Sequence, residues 1–220
     1  RNSVAYVQTI FAVSRCGAVL VPINFMLNGA EVGYLLQHSG STALIVQDEL
    51  MAAAEAGIEA TGTVMPVRVV VGDRAHVGWE PLDALLAHPD ATDPAVPVAA
   101  EAPAQVMYTS GTESRPKGAV LSHSALIAQY ASCIIDGGMG PSDVDLHALP
   151  LYHCAQQHCF LLPEIYLGAR GVIPPSTDPA VLLEMIERHE VNKFFAPPTV
   201  WIALLRHPDF DRRELSSLRK

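Results

Sequence analysis

Hydrophobic and polar residues alternate along the chain in two rhythms, one typical of helices and one typical of strands. Apolar residues recur at helical spacing after Asn2 or Ser3, after Asn28 and after Asp178, and each of these side chains can cap the helix that it precedes. Short apolar runs bounded by Gly, Pro or polar residues lie between the helices and are typical of buried strands. Strands that alternate with helices predict an α/β fold with mostly parallel sheets and helices packed on their faces.

The predicted elements follow one another closely. Strands are predicted at residues 18–21, 42–46, 67–71, 104–108, 119–121, 146–149, 171–173 and 193–196. Helices are predicted at residues 2–15, 31–38, 49–56, 123–133, 179–189 and 198–206, and Asp48 is expected to cap the third. Residues 88–103 lack periodicity and predict a surface connection.

Composition narrows the class of protein. Half of the 220 residues are hydrophobic, which suffices for a substantial core, and the net charge of −9 disfavours nucleic acid and anionic membranes as partners. No apolar run has the length of a transmembrane helix, and no signal peptide opens the chain. The four cysteines predict buried, reduced thiols and a cytoplasmic protein. Because the chain begins at Arg1 and stops without a closing element, we expect a piece of a longer protein.

The densest candidate chemistry lies between the predicted strands at 104–108 and 119–121. Residues 108–118 read Tyr-Thr-Ser-Gly-Thr-Glu-Ser-Arg-Pro-Lys-Gly. Glycine lets backbone N–H groups turn toward an anion, hydroxyls donate hydrogen bonds, and lysine adds positive charge, so the stretch predicts a phosphate-binding loop. The Walker loop is excluded, because Lys117 is followed by Gly118 rather than by Ser or Thr.

This stretch resembles the phosphate loop of adenylate-forming enzymes, which comprise acyl-CoA synthetases, peptide-synthetase adenylation domains and luciferases. The resemblance rests on Tyr-Thr-Ser-Gly-Thr, on Pro-Lys-Gly and on Ser122-His123. Residues 17–24 and the Pro-Leu-Tyr-His of residues 150–153 are similar to acyl-CoA synthetases as well.

The resemblance covers nearly the whole chain and implies a fold and a domain division. Residues 1–220 would form part of the large N-terminal domain of an acyl-CoA synthetase. Within it, residues 1–103 would be a first α/β portion with a linker, and residues 104–220 would carry the phosphate loop and the acyl site.

The resemblance also implies nucleotide-binding residues. The residues that would hold the phosphates are Thr109, Ser110, Gly111, Thr112, Glu113, Ser114, Lys117 and Gly118. Lys117 would also offset the charge that develops on the leaving pyrophosphate. Glu113 and Ser114 depart from the hydroxyl and glycine usual in the family, and we expect Glu113 to point to solvent or to pair with Arg115 or Lys117.

By the same resemblance, His153 lies beside the carboxylate that is activated. An imidazole N–H can hold one carboxylate oxygen while the other attacks the α-phosphorus, although a packed structural histidine stays open as an alternative. Gln156 or Gln157 stands where the family often has Gly, which predicts a narrower or more polar pocket. The side chains expected along the acyl site are Thr199, Val200 and Trp201, with core packing as the alternative for Trp201.

Two histidines and two cysteines between residues 153 and 159 suggest a metal site, but their spacing does not fit one. Zinc sites pair closely spaced ligands from two segments, and here only Cys154 and His158 would share a helical face. The sequence therefore predicts no metal ligands.

The implied function is ATP-dependent activation of a small-molecule carboxylate of unspecified chain length, with a fatty acid as the first candidate, to acyl-AMP and then acyl-CoA. ATP, Mg²⁺ and CoA are the implied cofactors, and a homodimer is a candidate assembly. Three alternatives stay open: a hydroxycinnamate (feruloyl-type) CoA ligase, an adenylation domain that loads a carrier protein, and a nucleotide-binding fragment without turnover. We expect residues 1–220 alone to be inactive, because the downstream nucleotide and lid segments of the family are not found in them.

Overall fold

The computed structural model describes residues 1–109 and 115–219, which form two compact units. Unit I is Gln8–Ser122, and unit II combines Arg1–Val7 with the chain from His123 onward. Helix α1, Val4–Arg15, contributes residues to both units. Gly17 follows it with a φ of 66°, a conformation that glycine adopts without strain.

Unit I contains a parallel sheet, a helix pair and a hairpin. Its elements are α2 Gly29–Ser39, β1 Ala43–Gln47, α3 Met51–Thr61, β2 Val67–Val71, β3 Glu80–Pro81, α4 Leu82–Leu86, β4 Pro103–Thr109 and β5 Lys117–Ser122. Strands β1, β2 and β3 are hydrogen-bonded in that order and run parallel. Strands β4 and β5 are antiparallel neighbours.

Helix α2 is fixed at both ends and along its packed face. Asn28 and Glu31 form a reciprocal capping box at its start, and Gly40 ends it in the left-handed conformation. The helix approaches α3 closely: a Cβ atom on Gly33 would lie 2.6 Å from the carbonyl oxygen of Gly57. Because Val32 and Leu36 are buried in the core of this unit, α2 is a firmly anchored element.

Unit II contains a short parallel sheet with helices around it. Its elements are α5 His123–Asp136, β6 Val144–Leu146, a π-helical segment Ala155–Leu161, α6 Leu162–Leu167, β7 Arg170–Val172, α7 Pro179–His189 and α8 Pro198–Leu205. Strands β6 and β7 run parallel. Asp178 caps α7 through the backbone N–H of Ala180, with Pro179 at the first helical position. Fully buried leucines of β6, α7 and α8 form the core.

The predicted α/β fold is confirmed, and several local predictions are corrected. The strands predicted at 18–21 and 193–196 are reduced to single bridges, Leu20 with Gln105 and Lys193 with Asp145. The four cysteines are free, and Cys16 and Cys154 are exposed, so the prediction of buried cysteines is wrong.

Asp48 does not cap α3. It opens a 3₁₀ turn, Asp48–Leu50, and its carboxylate accepts a hydrogen bond from the backbone N–H of Arg74 at 3.1 Å and lies 2.5 Å from Nε2 of His76. In the part of the chain that the structure describes, no helix has both the length and the apolar character needed to cross a membrane.

Candidate functional site

The hairpin of β4 and β5 presents two of the predicted phosphate-binding side chains side by side. Thr109 ends β4 and Lys117 begins β5, and the two residues are direct partners across the antiparallel ladder. Both are exposed. Direct partners in such a ladder have Cβ atoms about 5 Å apart, so the hydroxyl and the ammonium can act on one ligand.

The middle of the predicted phosphate loop lies outside the described residues. This concerns the predictions for Ser110, Gly111, Thr112, Glu113 and Ser114, together with the predicted orientation of Glu113. The structure therefore describes the two strand ends that flank the loop, and the roles of these five residues stay predictions.

Lys117 is available for an anionic ligand. It forms no ion pair with any residue among 1–109 and 115–219, although the chain carries a net charge of −9. An exposed ammonium without a carboxylate partner in the described part of the chain suits an anionic ligand that supplies its own charge.

Gly118 makes room for the neighbouring side chains of β4. A Cβ atom at this position would lie 2.8 Å from Cγ1 of Val106 and 3.3 Å from Cζ of Tyr108, its ladder partner. The glycine predicted to contact phosphate thus has a packing role in the hairpin as well.

Helix α2 contacts both sides of the loop, which the sequence reasoning missed. The hydroxyl of Tyr34 donates a hydrogen bond to the carbonyl oxygen of Pro116 at 3.0 Å. Nδ1 of His38 lies 2.7 Å from the hydroxyl of Tyr108. The i,i+4 spacing of Tyr34 and His38 indicates that they share a helix face, but the sequence does not indicate which residues they contact.

His153 belongs to unit II and is exposed, as a substrate-binding side chain requires. Its Nδ1 accepts a hydrogen bond from the backbone N–H of Ala155 at 3.2 Å. The neutral ring therefore carries its hydrogen on Nε2 and presents a donor. The alternative of a packed structural histidine does not match this exposure.

The three side chains predicted along the acyl site share the first turn of α8. Thr199 is exposed, whereas Val200 and Trp201 are partly buried against the core of unit II. The ring of Trp201 lies 5.2 Å from that of Phe194, measured between centroids. Core packing, the alternative given for Trp201, therefore describes part of its environment.

The π-helical segment after His153 buries three polar side chains. Nε2 of Gln156 donates to Nδ1 of His147 at 2.8 Å, and the hydroxyl of Tyr6 donates to Oε1 of Gln157 at 3.5 Å. His158 lies 3.0 Å from the hydroxyl of Tyr130, and burial lowers its pKa to about 4. Since Cys154 is exposed and His158 is buried, the two do not form the shared face considered above. The segment is hydrogen-bonded from i to i+5, so it is not the α-helix on which the shared face was predicted.

A buried polar cluster of Asp145, His147, Glu164 and Lys193 was also missed by the sequence reasoning. Nζ of Lys193 donates to Oε1 of Glu164 at 2.7 Å and lies 4.0 Å from Oδ2 of Asp145. Nε2 of His147 lies 3.3 Å from Oε2 of Glu164. The nearby bridge at Lys193 and the strand β6 bring these residues together, although they are far apart in the sequence.

The charges of this cluster balance. Burial and the neighbouring Glu164 carboxylate raise the pKa of Asp145 to about 9, and burial and the Lys193 ammonium lower the pKa of His147 to about 4. At pH 7 Asp145 is therefore protonated and His147 neutral, which leaves one carboxylate facing one ammonium. Ligand-type atoms of Asp145, His147 and Glu164 lie within 4.8 Å of one another, but Lys193 already places a cation there, so the cluster fits an ion-pair network better than a metal centre.

The comparisons with known proteins agree with one another, and each match covers nearly the whole chain. A family model for the AMP-binding enzyme family matches residues 1–220. A feruloyl-CoA synthase from Amycolatopsis is 33% identical over 99% of this chain and 41% of its own length. A long-chain-fatty-acid–CoA ligase from Thermus thermophilus is 32% identical over 100% of this chain and 40% of its own length.

The fold of a solved CoA ligase is similar to that of this chain. The anthranilate CoA ligase AuaEII, crystallised with anthranoyl-AMP, superposes with a TM-score of 0.86 at 26% identity, over 99% of this chain and 42% of that one. The chain thus spans about two fifths of the length of the curated relatives that it matches.

Proposed function

Since the chain belongs to the AMP-binding enzyme family, whose members here include acyl-CoA ligases, we propose that its protein activates a carboxylic acid with ATP. The first step would give acyl-AMP and pyrophosphate, and CoA would then displace AMP. The observation that carries this proposal is the exposed Lys117, which has no partner among the described residues and stands opposite Thr109 at the open end of the hairpin.

Three of the predicted site residues that the structure describes have a defined role in this reaction. Lys117 would bind the terminal phosphates of ATP and offset the charge that grows on pyrophosphate as it leaves. The hydroxyl of Thr109 would donate a further hydrogen bond to the same phosphates. Nε2–H of His153, fixed as a donor by the hydrogen bond at Nδ1, would hold one oxygen of the acid so that the other faces phosphorus.

The donor set fits the phosphate groups of ATP, because the described loop residues offer an ammonium and a hydroxyl and no carboxylate. Mg²⁺, when bound to the phosphates, would neutralise part of their charge. CoA completes the set of cofactors that we propose for the whole protein, with acid, ATP and CoA as its partners.

A fatty acid is the first candidate substrate. A hydroxycinnamate such as ferulate is the second, because the feruloyl-CoA synthase matches as well as the fatty-acid ligase, at 33% and 32% identity. The division of the chain at residue 103 and the roles of Thr199, Val200 and Trp201 at the acyl site belong to this proposal too.

The test is pyrophosphate exchange by the full-length protein with a panel that includes a long-chain fatty acid and ferulate, followed by mass spectrometry for the CoA thioester. Replacing Lys117 with Met should lower kcat/KM for ATP by about 10- to 100-fold, because a charge-assisted hydrogen bond is lost. Arg206→Met removes an exposed cation directly after α8 and is the matched control.

The outcomes separate the alternatives. Exchange with thioester formation supports the ligase, and exchange without thioester points to a carrier-loading domain. The absence of exchange with any acid, or a K117M variant that matches R206M, would overturn the proposal.

A further inference from the structure

Two side chains of one helix hold the two sides of the phosphate loop. Tyr34 bonds to Pro116, directly before β5, and His38 bonds to Tyr108, directly before the last residue of β4. The two side chains are four residues apart on α2 and therefore lie on the same face, with ring centroids 5.3 Å apart.

Each contact combines specific polar or aromatic interactions that can hold the strand ends in position. Pro116 has no backbone N–H, but its carbonyl oxygen remains an acceptor and receives the hydrogen bond from the Tyr34 hydroxyl. The ring of Tyr108 meets that of His38 edge to face at 5.7 Å between centroids, in addition to the hydroxyl contact. The guanidinium of Arg115 lies 5.5 Å from the centre of the Tyr34 ring, which adds a cation–π contact on the same side.

The helix that carries both side chains is itself held in place. Its capping box, its buried Val32 and Leu36 and its close approach to α3 at Gly33 fix α2 in the core of unit I. Contacts from a rigid element restrict the positions of the strand ends that they touch.

From these contacts we infer that Tyr34 and His38 form a clamp that sets the separation and direction of the strand ends from which Thr109 and Lys117 project. They are positioning residues: neither touches the phosphates in this scheme, and both act through Pro116 and Tyr108. The inference rests on the proposed function, because the positioned groups are those that would bind ATP.

The experiment compares Tyr34→Phe and His38→Phe with the wild-type full-length protein. Tyr166→Phe, which removes the hydroxyl of an exposed tyrosine in unit II, is the matched control. Each clamp variant should raise KM for ATP by about three- to tenfold, the effect of one lost hydrogen bond, and leave KM for the acid unchanged. A general loss of folded protein would instead lower kcat and leave both KM values unchanged.

A second measurement does not require turnover. Amide hydrogen exchange of β4 and β5, followed on peptides that cover residues 103–109 and 117–122, should be faster in both clamp variants than in wild type and Tyr166→Phe. Tyr108→Phe cuts the His38 contact from its other end. It should have the same effect as His38→Phe, and the double variant should be no worse than either one.

The outcomes are decisive for the clamp. An unchanged KM for ATP, or unchanged exchange in β4 and β5, would overturn it. If the wild-type protein shows no acid-dependent pyrophosphate exchange, the proposed ligase function fails, and the clamp then stands or falls on the hydrogen-exchange comparison.

Discussion

Replacing Lys193 with Met should destabilise the protein strongly, because it leaves the buried carboxylate of Glu164 without its cation. The two groups are 2.7 Å apart, and their side chains are 6% and 1% exposed. At this separation and an effective dielectric constant of 20, the attraction is about 6 kcal/mol. Desolvation of both charges offsets much of it in the intact pair, but removal of one partner leaves an uncompensated charge and typically costs about 3–5 kcal/mol.

Urea unfolding of the full-length protein at pH 7 measures this cost. Arg213→Met is the matched control, since Arg213 lies at the same 2.7 Å from Glu187 but the two side chains are 31% and 35% exposed. That solvent-accessible pair should contribute far less to stability, because water and salt screen its attraction. The double variant Lys193→Met/Glu164→Gln should regain part of the stability that the single variant loses, because the amide carries no charge.

Two results would refute this reasoning. One is a loss for Lys193→Met that is no larger than the loss for Arg213→Met. The other is a double variant that is no more stable than Lys193→Met, which would mean that the buried charge of Glu164 is not the source of the cost.

Three further predictions concern other parts of the chain. The pKa of Asp145 is raised to about 9 in the folded protein, so the folded state holds a proton that the unfolded chain has lost. Between about pH 6.5 and 9 the free energy of unfolding should therefore fall by about 1.4 kcal/mol per pH unit, whereas below pH 6.5 the lowered pKa of His147 has the opposite effect. Asp145→Asn should abolish this slope in urea titrations, and a retained slope would contradict the assignment. Gly33→Ala should lower the free energy of unfolding by about 1–3 kcal/mol in the same assay. Gly140→Ala, where a Cβ atom meets nothing within 4 Å, should be near neutral. Equal losses of stability in the two variants would argue against close packing as the cause. His153→Ala should lower kcat/KM for the acid about 10- to 100-fold in pyrophosphate exchange with KM for ATP unchanged, and an effect on ATP alone would remove His153 from the carboxylate site.

Local patterns in the sequence predicted most elements well. Strand β2 has the predicted limits, and the capping residues Asn28 and Asp178 each precede the helix that they were expected to cap. The family resemblance was confirmed over the whole chain. These features depend on neighbouring residues, which a sequence displays directly.

Contacts between distant residues could not be predicted in this way. Asp48 resembles a helix cap, but its carboxylate bonds to Arg74 and His76, which return to it only after β2. The buried polar cluster joins Asp145 on β6 to Glu164 on α6 and to Lys193 after α7, so no periodicity reveals it. The π-helical turn of Ala155–Leu161 also has no simple sequence signal.

The pairing of Thr109 with Lys117 has a consequence for how this protein tolerates changes in length. Side chains of a strand point alternately to opposite faces, so a one-residue slip between β4 and β5 would turn the ammonium of Lys117 away from the hydroxyl of Thr109. Any insertion or deletion between these two residues must therefore be absorbed without moving the ladder. For engineering and for evolution alike, the register of β4 and β5 therefore limits which changes in length this interval can accept.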